Sequence, residues 1–295
     1  MKMLSPCLLG LSLAVAGCTM AAAQDSSAAP ASLPMVLQIT REFVKPYKGG
    51  APHDKTESAF VQAMTRAKWP THYIALSSMS GKSRALYLTR YDSFEAWEKD
   101  NKAIAANKAL SAELDRASSA DGELLDEVDQ GIYSRSAELS YKPNPDLTHA
   151  RYLEATVYHV RPGHGKEFSD GVKMVIAIHQ RAGTAAHWST FHLEYGGSPG
   201  TYVMLSSDKS MSEIDASFDD DKKYAAARTD EERTKIREIF AASVESSDNE
   251  LFSINPRQSY PPEEYVKGDS DFWQPKPAVA PAAKPAAKAA AASKP

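Results

Sequence analysis

The sequence predicts an α+β protein in which one βαββαβ plan is written twice, and three observations carry that reading. A strand-like segment recurs at a fixed spacing, two glycine-marked hairpins stand at matching places, and amphipathic helical stripes separate them. Val36 to Pro46 aligns without a gap with Tyr152 to Pro162, an offset of 116 (162 − 46). Arg84 to Leu88 then matches Thr201 to Leu205 at 117 (201 − 84), and Ser140-Tyr141 falls on Ser259-Tyr260. One order at nearly one offset marks units of about 110 residues, far longer than a solenoid repeat.

The elements follow in chain order. Val36 to Pro46 and Tyr152 to Pro162 read as first strands, each ending at its proline. Asp54 with Glu57 forms an N-terminal capping pair, followed by Phe60, Met64 and Ala67 at helical spacing; in the second unit Phe168, Val172, Val175, Ile176 and His179 give the same stripe, ended by Gly183. Tyr73 to Ser78 and Arg84 to Arg90 flank Ser80-Gly81-Lys82, while Phe191 to Tyr195 and Thr201 to Ser206 flank Gly196-Gly197-Ser198-Pro199-Gly200. Both are hairpins. A long helical region then starts at Asp92 and again at Ser210, where Ser210 and Glu213 suit a capping box. Last strands are expected near Ile132-Tyr133 and Leu251-Phe252.

The ends of the chain are of other kinds. Lys2 followed by Leu8, Leu9, Leu11, Leu13 and Val15 makes an export signal too short to span a bilayer permanently. Val15-Ala16-Gly17-Cys18 resembles a bacterial lipobox, which implies lipidation of Cys18 and a periplasmic or outer-membrane-anchored protein. Ordinary cleavage near Ala23, giving a secreted chain, is the alternative. The expected organisation is a signal over 1–23, a tether over 24–34, units over 35–143 and 151–265 joined by a linker over 144–150, and a disordered Ala/Pro/Lys tail over 266–295.

Composition narrows the function classes. The 295 residues carry 42% hydrophobic and 24% charged residues, enough for a core. A net charge of −4 lacks the basic excess that phosphate neutralisation needs, so nucleic acid is not an expected partner. Only Cys7 and Cys18 occur, both near the N-terminus, so the body holds no disulfide framework, thiolate zinc site or thiol nucleophile.

The tandem βαββαβ order, with the junction Val160-Arg161-Pro162-Gly163-His164-Gly165-Lys166-Glu167-Phe168, resembles the dimeric α+β barrel superfamily over about Val36 to Tyr260. That superfamily includes antibiotic-biosynthesis monooxygenase-like, stress-responsive A/B-barrel and NIPSNAP-like domains. The resemblance implies two ferredoxin-like repeats joined as a pseudo-dimeric barrel within one chain, and hence a monomer. The first copy departs from the junction pattern, with the longer connection Pro46-Tyr47-Lys48-Gly49-Gly50-Ala51-Pro52.

Strand alternation then selects candidate site residues. Leu37, Ile39, Phe43, Phe191, Leu193, Val203 and Leu205 suit the helix-covered face. Gln38, Thr40, Glu42, Glu154, Thr156, Tyr158, His192, Glu194, Tyr202 and Met204 are left for the barrel interior, which is therefore expected to be polar. His192, Glu194 and Glu154 are the candidate proton-transfer groups, and Tyr158, Tyr202, Thr156, Gln38 and Glu42 the candidate ligand contacts. The competing reading is a polar interface whose members satisfy one another. His192, Glu194 and Glu154 could also be read as metal ligands, but rest on alternation alone, so no metal is expected. His179 and His187 could be read as haem ligands, as in chlorite dismutase-like relatives of the superfamily, yet no haem motif surrounds them and no cofactor is expected.

Two functions follow as expectations. The first is a non-catalytic envelope-anchored module that binds a small apolar or aromatic ligand, or a protein partner. The second is an enzyme of the cofactor-independent monooxygenase type, or a haem-binding one, acting on a small aromatic or apolar substrate.

Overall fold

The computed structural model describes residues 34–144 and 146–275. The export signal, Cys18, the tether before residue 34 and the chain after residue 275 lie outside the described residues. Among the described residues are eight strands: β1 (Val36–Val44), β2 (Tyr73–Ser78), β3 (Arg84–Tyr91), β4 (Leu125–Arg135), β5 (Tyr152–Val160), β6 (Ser189–Tyr195), β7 (Thr201–Asp208) and β8 (Val244–Ile254). They close into one barrel in the order β1-β3-β2-β8-β5-β7-β6-β4. Closure leaves no unpaired edge, because β2 pairs with β8 and β4 pairs with β6.

Helices cover the outside. The first half (β1 to β4) adds α1 (Ala51–Ala67), α2 (Phe94–Ala106) and α3 (Lys108–Gly122); the second half (β5 to β8) adds α4 (Gly165–Ala182), α5 (Met211–Ala227) and α6 (Asp230–Ser243). The long helical region expected in each half is thus two helices, and side-chain capping explains both breaks. Asn107 ends α2 and accepts from Leu110 N at 3.2 Å to start α3. Thr229 starts α6 in a full capping box with Glu232.

The box expected at Ser210 and Glu213 does not form. Ser210 Oγ meets Ser212 Oγ at 2.7 Å, and Glu213 accepts from Lys209 N. Asp54 and Glu57 are not a cap either, because α1 has already begun at Ala51 with proline in its first turn.

Alternation along the strands holds, but the two faces are exchanged relative to the expectation. Leu37, Ile39, Leu76, Leu86, Leu88, Tyr133, Phe191, Leu193, Val203, Phe252 and Ile254 form one buried cluster. Most of the interior is apolar, an eight-stranded barrel being narrow enough for side chains to fill, while the same face carries the ion pairs Arg41–Asp129 and Arg84–Glu250 towards one end. Gln38, Glu42 and Tyr158 instead point outward to the helices: Gln38 Oε1 accepts from Trp97 Nε1 of α2 at 2.8 Å, Glu42 meets His53 of α1 at 3.2 Å, and Tyr158 packs on Phe168 of α4.

The tail expected from residue 266 also needs correction. Two further helices, α7 (Glu263–Gly268) and α8 (Ser270–Trp273), follow β8, and Tyr265 and Trp273 join the interior cluster. Trp273 is buried, with Nε1 donating to Thr148 O at 2.9 Å. An aromatic plug of this area outweighs the ordering of one short segment. Among the described residues no helix is long and apolar enough to cross a membrane.

Candidate functional site

In the second half the helix-to-sheet space is open. A cavity of about 550 Å³ lies between β5, β7, β8 and the helices α4 and α6, walled by Tyr158, Val172, Val175, Trp188, Met204, Phe240 and Val244, with His179 at its edge. The wall is built by sequence spacing. Phe168, Val172, Val175, Ile176 and His179 recur at helical intervals on α4, and Gly183 ends that helix in the left-handed region at φ 63°. Gly171 sets the approach of α6, since a Cβ there would stand 2.7 Å from Ile239.

His179 is held on several sides. Its Nδ1 lies 2.9 Å from Thr184 Oγ1, and its ring stacks on Tyr224 with centroids 4.5 Å apart. Burial pushes its pKa below the ordinary histidine value, so the ring is neutral near pH 7. Burial likewise pushes the Tyr158 hydroxyl up.

An adjoining cleft of about 730 Å³ shares His179, Trp188 and Met204 with the cavity and is lined by Glu154, Thr156, His187, Asp208, Asp220 and Asp221. Burial, and after it the charge on Asp208, raises Glu154. Asp208 is raised by burial too, and its Oδ2 is buried without a hydrogen-bond partner. Together the two spaces present an aromatic chamber opening into an acidic mouth.

The structure divides the sequence-selected residues. Tyr158 lines the cavity, and Glu154 and Thr156 line the cleft, where Thr156 Oγ1 donates to Asn249 Oδ1 at 3.1 Å. Tyr202 packs between Phe168 and His192, at 4.8 and 4.7 Å. His192 and Glu194 stand outside the barrel near the β6–β4 seam, 3.2 Å apart and each 35% exposed, with Glu194 also accepting from Ser134. The Ser134 hydrogen bond is the main reason that Glu194 is held low. His192 pairs opposite Tyr202 and Glu154 opposite Ser206, so the three proposed proton-transfer groups are not brought together.

The first half fills the same space with charge. Glu42 of β1, His53 and Glu57 of α1 and Asp121 of α3 bring one ligand-type atom each within 4.8 Å of one another. His53 Nε2 lies 3.2 Å from Glu42 and 3.5 Å from Asp121, and Thr56 Oγ1 donates to Asp121 at 2.5 Å. Glu57, 3% exposed, is pushed up to about 9 by burial, then by Glu42 and Asp121. Of these residues the sequence marked only Glu42 as a site candidate, Glu57 being read as half of a capping pair. A usable signal was nevertheless present: His53, Glu57, Phe60 and Met64 follow one helical stripe, so two ionisable residues share the face that α1 buries.

The fold and cavity define an eight-stranded α+β barrel with a helix-covered, aromatic-lined pocket in one half. No family model matches the sequence, and no curated protein matches it. Solved structures with a similar fold include a proposed monooxygenase from Fusobacterium nucleatum subsp. nucleatum ATCC 25586, at 10% identity and TM-score 0.49, covering 74% of this chain and 91% of that one. An anthrone oxidase-like protein matches at 11% identity and TM-score 0.49, covering 75% and 91%. A mutant chlorite dismutase from Candidatus Nitrospira defluvii matches at 6% identity and TM-score 0.45, covering 82% and 98%. Likeness at this depth assigns no activity.

Proposed function

We propose that the chain is an exported small-molecule-binding module, tethered to the envelope through Cys18, which takes an apolar or aromatic ligand in its second half. The observation that carries this reading is the cavity itself. Its volume, about 550 Å³, falls in the range of small-molecule sites, and its walls are mainly aromatic and aliphatic, with His179 at the edge and Glu245, Ser246 and Ser247 as polar groups along β8. The barrel is read as a pseudo-dimer of two ferredoxin-like units. Reciprocal bridges support that reading: Tyr260 of the second half pairs with Tyr73 of the first, and Tyr141 at the end of the first half pairs with Trp188 of the second.

One observation favours catalysis as a second reading. A neutral His179 is in the form that accepts a proton, as a cofactor-independent oxidation of a phenolic substrate requires at its first step.

N-phenyl-1-naphthylamine, a neutral aromatic fluorophore, tests the pocket. It binds the full exported protein at one saturable site, and Met204→Trp, which fills the cavity, abolishes binding while the melting temperature holds. Unchanged binding in that variant, or none in the parent, refutes the pocket reading. His179→Ala keeps the fluorophore bound; loss of turnover of a phenolic substrate in this variant identifies the enzyme. Cys18→Ala shifts the protein from the membrane fraction to the soluble one, and unchanged partition refutes the anchor.

A further inference from the structure

We infer that the first half carries a site for one divalent first-row transition-metal ion, held by Glu42, His53, Glu57 and Asp121. Geometry comes first. The four donor atoms lie within 4.8 Å of one another. With bonds of about 2.2 Å, trans ligand atoms on an octahedral ion stand about 4.4 Å apart and tetrahedral ones about 3.6 Å, so a contraction of a few tenths of an ångström closes the set on an octahedral ion and one of about 1 Å on a tetrahedral zinc. Three secondary-structure elements supply the donors, and His53 and Glu57 share one face of α1 by their i, i+4 spacing.

A second observation points to an occupant. Glu57 is 3% exposed, and its Oε1 is buried without a hydrogen-bond partner, while the Tyr87 hydroxyl donates to Gln258 Oε1 at 3.4 Å. A buried carboxyl oxygen left in that condition costs free energy that a cation would recover. The charge balance points the same way. Three carboxyl groups face one imidazole, and no lysine or arginine among the described residues forms an ion pair with Glu42, Glu57 or Asp121.

The donor chemistry selects the ion class. One imidazole nitrogen with carboxylate oxygens suits Mn(II), Fe(II) or Zn(II), whereas Mg(II) and Ca(II) favour oxygen alone and Cu(I) favours sulfur. Gln258 supplies the outer support, with its amide 3.3 Å from His53 Nδ1. The same amide nitrogen donates to Asp54 Oδ1 at 3.0 Å, so Gln258 ties the His53 ring to the start of α1 and holds its orientation. The second half cannot repeat the site, since Tyr158, Phe168, Val172 and Phe240 occupy the matching places, so the stoichiometry is one ion per chain.

The test strips the full exported protein with a chelator and titrates Mn(II) and Zn(II) separately by calorimetry, with thermal melting in parallel. One ion binds per chain and raises the melting temperature. Glu57→Gln, which preserves shape, lowers affinity by at least about 10-fold, in line with loss of a metal-site contact. Asp121→Asn does the same, and if it fails to fold, Glu57→Gln decides alone. His192→Ala, at the exposed His–Glu pair, leaves binding intact. Absence of binding, two ions per chain, unchanged affinity in Glu57→Gln, or loss of binding in His192→Ala each overturns the inference. Fluorophore binding in the other half is indifferent to every one of these results.

Discussion

In the first half, Glu42, His53, Glu57 and Asp121 fill the space between sheet and helices; in the second half Tyr158, Phe168, Val172 and Phe240 stand at the same places. The correspondence can be counted. Glu42 and Tyr158 are each the seventh residue of their strand, and Tyr87 and Met204 each the fourth of theirs. His53 and Phe168 each precede a left-handed helix cap by 15 residues (68 − 53 and 183 − 168), and Glu57 and Val172 precede the same caps by 11. Asp121 and Phe240 each lie four residues before the last strand of their half (125 − 121 and 244 − 240). One backbone arrangement therefore carries either a buried ionisable cluster or an aromatic chamber. What separates the halves is side-chain solvation, since a carboxyl cluster is tolerated only where its members partner one another or an ion.

Transplanting one residue of the first half into the second gives the largest expected effect. Val172→Glu places a carboxyl group beside Phe168 and Phe240, where no partner awaits it, and lowers stability by about 3 to 5 kcal/mol in urea unfolding. A loss below about 1 kcal/mol would mean that the second half tolerates charge as the first does. Phe168→Ala follows. That side chain is fully buried among Tyr158, Tyr202 and Phe240, and its truncation costs about 3 kcal/mol or more by the same measurement.

A smaller effect concerns the acidic mouth. Burial and Asp208 raise Glu154 above its ordinary value, so between the unfolded and folded values the folded chain keeps a proton that the unfolded chain has released. Above the unfolded value the folded state binds more protons, and stability falls as pH rises towards the raised folded value; below the unfolded value both states are protonated and the difference vanishes. Glu154→Gln therefore raises the melting temperature at pH 7 and leaves it unchanged at pH 3. The opposite pattern, destabilisation at pH 7, would show that the ionised carboxylate is stabilising in the cleft.

Local chemistry made much of this fold legible, and closure hid the rest. The strands and hairpins could be read because alternation and the Gly81 and Gly196-Gly197 turns are short-range signals. Alternation also grouped Leu37 with Ile39 and Gln38 with Glu42 correctly. It cannot say which group faces inward, because that depends on β2 meeting β8 and β4 meeting β6, contacts between residues more than 50 positions apart. Trp273 was hidden by the Ala/Pro/Lys stretch beside it, although its burial depends on Thr148. Tyr158, Glu154 and Thr156 were selected for the wrong face and still line the pocket and cleft. His53 and Glu57 escaped notice as site candidates because Asp54 and Glu57 match a helix-start pattern that Pro52 had already pre-empted.

The helix starts give the finest version of the comparison. Ser93 and Ser210 occupy the same place, each immediately before the helix that follows a hairpin, and both adopt extended backbone, at φ −162° and −160°. Only Ser93 acts as a cap, its Oγ accepting from Ala96 N at 3.0 Å. Ser210 Oγ turns to Ser212 instead, leaving the first turn of α5 without that side-chain bond. Ser93→Ala therefore costs about 1 kcal/mol, the typical loss of an N-cap, and Ser210→Ala costs a few tenths at most. Thr229→Ala, which removes one arm of a reciprocal box, should match Ser93 rather than Ser210. Equal losses at Ser93 and Ser210 would show that Ser210 reaches its backbone partner in solution, so that the two halves differ in the space beneath their helices and not in how those helices begin.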